Sequence, residues 1–174
     1  NCDIKNLSKG SRIYFPVFVE GAKLSVGDLH FSQGDGEITF CGGIEMPGWI
    51  DLRVNVIKNG MEKYHIKKNP AFKPGPVMPN YTDYIVFEGI SVNEFSGKQT
   101  YLDANTAYRN AVLNAIEFLK TCGFTGEQAY MLLGTAPVQG TVAGIVDVPN
   151  ACCTIAIPRE IFKDDIVPNL EPDQ

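Results

Sequence analysis

The feature that most constrains the fold of this chain is one long amphipathic helix pattern in a sequence otherwise rich in strand patterns. Apolar residues recur at helical spacing through LDANTAYRNAVLNAIEFLKTCG, residues 102–123. Asp103 or Asn105 can cap the start of this helix, and Gly123 can end it. Parallel strands need long crossover connections, which are usually helices. A chain with one sizeable helix is therefore expected to pair its strands mostly antiparallel.

A second, shorter helix is expected directly after the first. TGEQAYMLLG carries a capping-box pattern, Thr125 with Gln128 three residues later, ahead of an apolar run. The sequence thus predicts an α+β fold, with a mostly antiparallel β-sheet or sandwich and two helices near 103–122 and 126–134.

Strand patterns occupy much of the remaining chain. Alternating or β-branched runs occur at 11–20, 28–32, 37–46, 51–60, 84–92 and 140–158. A proline-rich loop at 69–83 separates the fourth and fifth of them. We expect a β-rich region over residues 1–101 and an α+β region over 102–174, which holds the two helices and a final strand. The two regions are expected to form one compact unit.

The composition bears on the class of partner. The formal charge is −5 and no block of lysine or arginine occurs, so nucleic acid and anionic membrane surfaces are not expected partners. No apolar run approaches the ~18–20 residues that a membrane span requires. Hydrophobic residues make up 44% and charged residues 20%, which indicates a globular chain rather than a disordered one.

The five cysteines do not form a metal or redox motif. They are widely spaced apart from one adjacent pair, and no CxxC pair occurs. We expect reduced core cysteines of a cytosolic protein. Cys152 or Cys153 as a nucleophile is the alternative, with two distant histidines as candidate bases. One of these, His65, lies among lysines and is expected on the solvated surface.

The string GDLHFSQGDGEI, residues 27–38, concentrates polar side chains in a predicted hairpin. Residues two apart on a strand point the same way, so Asp28 and His30 share a face. A tight turn at QGDG is expected to bring Glu37 back to that face from the partner strand. These side chains suit Zn²⁺ or a similar divalent ion, with Asp3 as a further oxygen ligand, or a carboxylate can act as general base. A solvated acidic turn explains the same residues, so both interpretations stay open here.

Several strings together resemble the acetamidase/formamidase family of short-chain amide hydrolases, and its formamidase branch in particular. They are NCDIKNLSKGS, GAKLSVGDLHFSQGDGEITFCGGIEM, FKPGP and VDVPNACCTIAIP. The GDxHxxQGDGE string is long enough to be specific, and the resemblance covers essentially the whole chain. Family chains are longer, so this chain resembles the C-terminal part of a larger β-rich, two-part fold.

The resemblance implies a cytoplasmic, homo-oligomeric hydrolase that converts formamide, or another short aliphatic amide, to the carboxylate and ammonia. It also implies a divalent metal ion, with zinc as the expected ion. The implied site residues are polar side chains of two motifs: Asp3 and His30 as metal ligands, Glu37 and Asp28 as catalytic groups, and Asn1, Gln33 and Asp35 as substrate-binding groups.

The size of the substrate predicts the kind of pocket. Even excellent small ligands gain at most ~1.5 kcal/mol per atom, so formamide offers little binding energy. A small closed pocket is therefore expected, with Phe31, Phe40, Met46 and Trp49 as candidate walls.

Two other functions remain open from the sequence. The chain opens at Asn1, inside a motif and without an initiator methionine, which leads us to expect a processed or truncated polypeptide. The missing amino-terminal portion would come from the same polypeptide or from a partner chain. A non-catalytic or incomplete subunit is then one alternative, and a cysteine amidase using Cys152 or Cys153 is the other.

Overall fold

The structure, a computed structural model, describes residues 4–40, 42–76, 83–164 and 166. The chain divides into two compact units, residues 1–31 with 45–79, and residues 32–44 with 80–174. This division differs from the boundary after residue 101 that the sequence suggested. The reason is long-range pairing, because a strand before residue 101 lies in the same sheet as strands near the carboxy terminus.

The second unit is built on a three-stranded antiparallel sheet. Its strands are β5 (Tyr84–Ile90), β6 (Gln139–Gly144) and β7 (Cys152–Pro158), in the order β5–β7–β6. In the central strand Ile155 lies opposite Phe87 on one side and Gly140 on the other. The stretch 140–158 therefore forms parts of two strands rather than one. The α+β class with mostly antiparallel pairing is confirmed.

Both predicted helices are confirmed, and their starts follow the predicted caps. The long helix α2 spans Ala104–Thr121, and the Asp103 side chain accepts hydrogen bonds from the backbone of its first turn. The helix α3 spans Gly126–Thr135, with the complete capping box of Thr125 and Gln128. A single 3₁₀ turn, Arg159–Ile161, follows Pro158.

The core of the second unit lies between the helices and the sheet. Helix α2 approaches β5 closely because small residues face each other, with a Cβ on Gly89 falling 2.2 Å from the carbonyl oxygen of Ala107. Alternate residues of β7 point toward the helices. The largest fully buried side chains are Leu119, Leu133, Val138, Cys153, Ile155, Ile157 and Pro158, with one hydroxyl, Ser91.

Helix α2 also covers the free edge of β5. The Asn110 side-chain amide donates to the carbonyl oxygens of Ile90 and Val92, at 2.7 and 2.6 Å, and Asn114 donates to Glu88 at 3.2 Å. These bonds satisfy carbonyl groups that an edge strand would otherwise present to another chain.

The first unit has little regular structure. Strand β1 (Arg12–Tyr14) pairs antiparallel with β4 (Ala71–Lys73), and a five-residue helix, α1, spans Gly60–Tyr64. None of the residues that the structure describes in this unit is buried. The unit therefore has no core of its own among the described residues.

Three strand predictions differ from the structure. The segment 11–20 is a strand only at Arg12–Tyr14, and 51–60 contains no strand residue. The sheet around the polar motif is short, with β2 (His30–Ser32) paired to β3 (Ile44–Glu45). Residues 37–40 form turns instead of the predicted partner strand, and the physical reason is that the glycines around them permit turns with positive φ.

Candidate metal centre

Asp28 and His30 lie close together, with Asp28 just before β2 and His30 as its first residue. His30 Nε2 is 3.0 Å from Asp28 Oδ1, and the side chains are 10% and 53% exposed respectively. Asp28 adopts a φ of 61°, an uncommon conformation for a residue other than glycine. Backbone strain of this kind is found preferentially at functional sites.

Glu45 completes the cluster. One ligand-type atom from each of Asp28, His30 and Glu45 lies within 4.8 Å of the other two. The backbone N–H of Met46 donates to the carbonyl oxygen of Leu29 at 2.9 Å, which holds the end of β3 beside the residues flanking Leu29. A partly buried imidazole with two exposed carboxylates is a donor set that a divalent ion binds.

Glu45 was not among the site residues expected from the sequence, although it lies within the strand pattern at 37–46. The signal that could have identified Glu45 is its carboxylate in the strand pattern that follows the QGDG turn. The returning strand was expected over 37–46, and it forms only at Ile44–Glu45. Two predicted residues, Asn1 and Asp3, lie outside the described residues.

From Ser32 onward the motif belongs to the second unit, where its backbone is held by helix α3 and by the residue that precedes β6. Gly34 N donates to Gly134 O at 3.1 Å and Asp35 N to Val138 O at 3.2 Å. The Asp35 carboxylate accepts a hydrogen bond from Gly140 N at 2.9 Å. The predicted substrate-binding group Asp35 thus bonds the first residues of β6.

Tyr108, which lies on helix α2, stabilises the same turn. Its hydroxyl donates to the carbonyl oxygen of Asp35 at 2.7 Å. The ring sits between Gly36 and Gly140, because a Cβ on either glycine would fall 2.9 Å from ring atoms. Burial, followed by the charges of Asp35 and Cys153, raises the pKa of Tyr108 to about 12, so the hydroxyl stays a donor.

Gln33 and Glu37 flank this turn. Gln33 is buried, and Glu37 is half-buried with a φ of 42°. The N–H of Phe40 donates to the carbonyl oxygen of Glu37 at 2.9 Å, so Glu37 opens a turn and does not lie on a strand. The predicted route that would bring Glu37 to the face of His30, a hairpin partner strand, is therefore wrong.

The cysteines that the structure describes are free thiols. Cys153 is fully buried and its Sγ is 3.4 Å from the carbonyl oxygen of Ala104. Burial, and secondarily the neighbouring Cys152, raises the pKa of the Cys153 thiol. A buried thiol with a raised pKa is a poor nucleophile, which argues against Cys153 as the attacking group.

The predicted pocket walls are exposed. Phe40 is 95% and Trp49 99% exposed, while Phe31 is 74% and Met46 46% exposed.

None of the helices in the described part of the chain is both long and apolar enough to cross a bilayer.

A family match decides the affiliation of the chain. The Acetamidase/Formamidase family matches residues 1–164 of the 174. The chain belongs to this family. The resemblance read from the two motifs is thereby confirmed, and the chain corresponds to the C-terminal portion of family members.

Similar proteins within the family carry related names. The chain is 64% identical over 171 residues to a formamidase of Methylophilus methylotrophus, covering 98% of this chain and 42% of that protein. It is 61% identical over 143 residues to an acetamidase of Mycolicibacterium smegmatis, covering 82% and 35%. Among solved structures it resembles a gamma lactamase from Delftia acidovorans, with a TM-score of 0.94 and 67% identity over 98% of this chain. The chain spans about two fifths of the length of the Methylophilus formamidase and of the Delftia gamma lactamase.

Proposed function

We propose that this chain forms part of an amidase that hydrolyses formamide, or another short aliphatic amide, to the carboxylate and ammonia. The observation that carries the proposal is the cluster of Asp28, His30 and Glu45 within the motif of a family whose members include a formamidase and an acetamidase. A divalent ion, zinc in our proposal, is held there, with Asp3 as a further ligand. Cytoplasmic location and homo-oligomeric assembly are part of the same proposal.

The donor set fits such an ion. Zinc ligands lie roughly 2.0–2.2 Å from the metal, so two ligand atoms of one ion are at most about 4.4 Å apart. The ligand atoms of the cluster lie within 4.8 Å of one another. Rotation of the exposed Asp28 and Glu45 side chains can shorten these distances to the range that one zinc ion requires. His30 is the least exposed of the three and needs the least reorientation.

Each group then has a distinct task. The ion supplies Lewis-acid polarisation of the amide carbonyl, which is a poor electrophile. A carboxylate takes the proton of the attacking water and delivers it to the departing amine. We propose Glu37 for that task, with Asp28 as the second catalytic carboxylate or a metal ligand. Asn1, Gln33 and Asp35 are the proposed amide-binding groups, and the Asp35 carboxylate also bonds Gly140 N.

Zinc content tests the ligand assignment without reference to activity. We compare His30→Asn with His65→Asn, because these are the chain's two histidines and His65 is exposed. Asparagine tolerates the φ of 56° at residue 65, so the control keeps its backbone. His30→Asn is expected to weaken zinc binding at least ~tenfold, and His65→Asn to leave it unchanged. Equal zinc content in the two variants would refute the centre.

The catalytic roles are separated by two further variants. Glu37→Gln is expected to retain zinc but release no ammonia, and full turnover would exclude Glu37 as the base. Asp28→Asn is expected to lose zinc if Asp28 is a ligand and to lose only turnover if it is catalytic. Turnover is measured on this chain joined to the amino-terminal portion of the Methylophilus formamidase, since the chain spans two fifths of that protein.

That length also favours a second candidate, a non-catalytic or incomplete subunit. It predicts that the joined protein binds zinc weakly and releases no ammonia. A cysteine amidase is distinguished by thiol alkylation, which would stop turnover in that case, whereas removal of zinc by a chelator would not.

A further inference from the structure

Residues 49–57, WIDLRVNVI, form an unpartnered strand pattern in the first unit. Leu52, Val54 and Val56 alternate with polar residues and are 53%, 68% and 84% exposed. The segment has no strand assignment. An alternating sequence of this kind is stable as a strand only when one face is covered and its backbone groups are paired.

The surrounding unit does not supply that cover among the residues that the structure describes. The ladder of β1 with β4 is three residues long, and isolated two-stranded ladders are at best marginally stable in water. Eighteen large hydrophobic side chains of the unit are exposed, spread from residue 4 to residue 64. Monomeric proteins rarely expose so much apolar surface, and large exposed apolar patches mark interaction sites.

We propose that residues 51–57 dock as a β-strand on the amino-terminal portion of the family polypeptide, with the stripe Leu52–Val54–Val56 buried in that interface. Trp49 precedes the strand, so the strand alternation does not fix its direction, and the same interface covers its fully exposed ring. The occupant follows from length, because the Methylophilus formamidase and the Delftia gamma lactamase have more than half of their chain outside the match. The spread of exposed apolar residues calls for a large covering surface. A twofold contact between copies of this chain would cover one self-complementary patch.

The proposed strand has one apolar and one polar face, so substitutions on the two faces can be compared. The apolar stripe faces the partner, while Asp51, Arg53 and Asn55 alternate with it and face away. A charge placed on the stripe should break docking, and the same charge one residue along should not. Since Val54 and Asn55 are both exposed in this chain, neither change removes a core contact here.

The test compares Val54→Asp with Asn55→Asp, which add the same charge at neighbouring positions. The chain is labelled with 5-fluorotryptophan, which reports on Trp49 alone because the chain contains one tryptophan. It is mixed with the separately expressed, unlabelled amino-terminal portion of the Methylophilus formamidase, and the complex is purified by an affinity tag on that portion. We expect a one-to-one complex in which the fluorine resonance loses its solvent isotope shift. Val54→Asp should weaken the complex at least ~tenfold, and Asn55→Asp should leave it unchanged.

A second measurement covers the case in which the two pieces do not assemble in trans. The same variants are made in one continuous polypeptide, the Methylophilus portion followed by this chain. Val54→Asp should lower its melting temperature, while Asn55→Asp should not, and both should leave the isolated chain unchanged.

Three outcomes would overturn the proposal. One is an equal effect of the two variants in the continuous polypeptide. Another is a Trp49 resonance that already lacks the solvent isotope shift in the dilute isolated chain, which would mean that the chain covers its own stripe. The last is a shift that depends on the concentration of this chain alone, which would identify a second copy as the occupant. No readout uses ammonia release, so the result is independent of the proposed function.

Discussion

Tyr108 links three elements through one hydroxyl group. It bridges helix α2 to the carbonyl of Asp35, whose side chain bonds Gly140 at the start of β6. The close approach depends on Gly36, which has a φ of 86° and leaves room for the ring, and on Gly140. The glycines of the QGDG motif therefore have a packing role that does not depend on any ligand.

Replacement of Tyr108 by phenylalanine should destabilise the fold in a pH-dependent way. The variant loses a hydrogen bond, which is typically worth about 1 kcal/mol. The folded pKa of Tyr108, about 12, lies above its ordinary value of 10.0, so the fold favours the neutral phenol. That stabilisation is complete below pH 10 and is lost as the pH rises toward 12. The difference in unfolding free energy from Tyr108→Phe, measured in urea at pH 8, 10 and 11, should therefore shrink with pH. A constant difference would contradict this account.

Asp103 gives a second pH-dependent case with the opposite sign. Its hydrogen bonds, chiefly from the Thr106 hydroxyl, lower the pKa of the carboxyl below 3.8. The cap therefore stabilises the fold above the unfolded pKa and loses that effect as the pH falls through the folded pKa. Asp103→Ala should lower the melting temperature at pH 7, and the difference should shrink as the pH falls below 3.8. Asn105→Ala, which alters the other predicted cap residue, should have little effect at either pH.

At the scale of elements, the contact between α2 and β5 depends on the absence of side-chain atoms. Ala107, Ala111 and Ala115 are fully buried on the inner face of the helix, and Gly89 lies against its backbone. A helix can approach a strand this closely only where small residues meet.

Gly89→Ala should therefore destabilise the fold by about 2 kcal/mol, within the range for added methyl groups in packed interiors. Its new Cβ would lie 2.2 Å from backbone atoms of α2, which cannot move independently. The matched control is Gly126→Ala in the first turn of α3, where no atom lies within 4 Å. The control should be neutral or slightly stabilising. Thermal and urea unfolding measure the stability of both variants. A similar loss of stability in the two would show that the packing of α2 on β5 is not the cause.

At the scale of the whole molecule, the two units differ in how much apolar surface they bury. The second unit contains the buried core between α2, α3 and the sheet, whereas the described residues of the first unit include no buried side chain. Local opening requires little free energy where few apolar contacts must be broken.

Amide hydrogen exchange should therefore separate the units in the isolated chain. Amides of α2, β5 and β7 should exchange slowly, and those of residues 49–57 should exchange at nearly the unfolded rate. Mass spectrometry of peptic fragments at pH 7 measures both sets in one sample. Strong protection of 49–57 in the isolated chain would contradict the absence of a core around them.

The parts of the fold that were predicted correctly are those with signals confined to a few neighbouring residues. Helix α3 was located by Thr125 and Gln128, whose reciprocal bonds span three residues, and α2 by Asp103 and its apolar spacing. The proximity of Asp28 to His30 was also expected from neighbouring residues, although Asp28 precedes β2 with a φ of 61° and does not share a strand face with His30.

The parts that were not predicted depend on partners distant in the sequence. The segment 49–57 has the alternation of a strand, but a strand exists only with a neighbour, and pattern alone does not supply one. In the same way Glu37 was expected on a partner strand, yet the pairing that forms uses Ile44–Glu45. A register choice in a glycine-rich segment is weakly specified by local sequence.

Patterns within short stretches of chain were enough to locate both helices and to indicate the α+β class, the family and the pair Asp28 and His30. Each of these rests on periodicity, caps or motif residues that lie within a short stretch of chain. The position of Glu45 beside that pair and the hydrogen bond from Gly140 N to the Asp35 carboxylate became evident from the three-dimensional fold alone. Those contacts need chain reversals and long-range strand pairing, whose outcome is set by competition among distant segments for the same backbone hydrogen bonds.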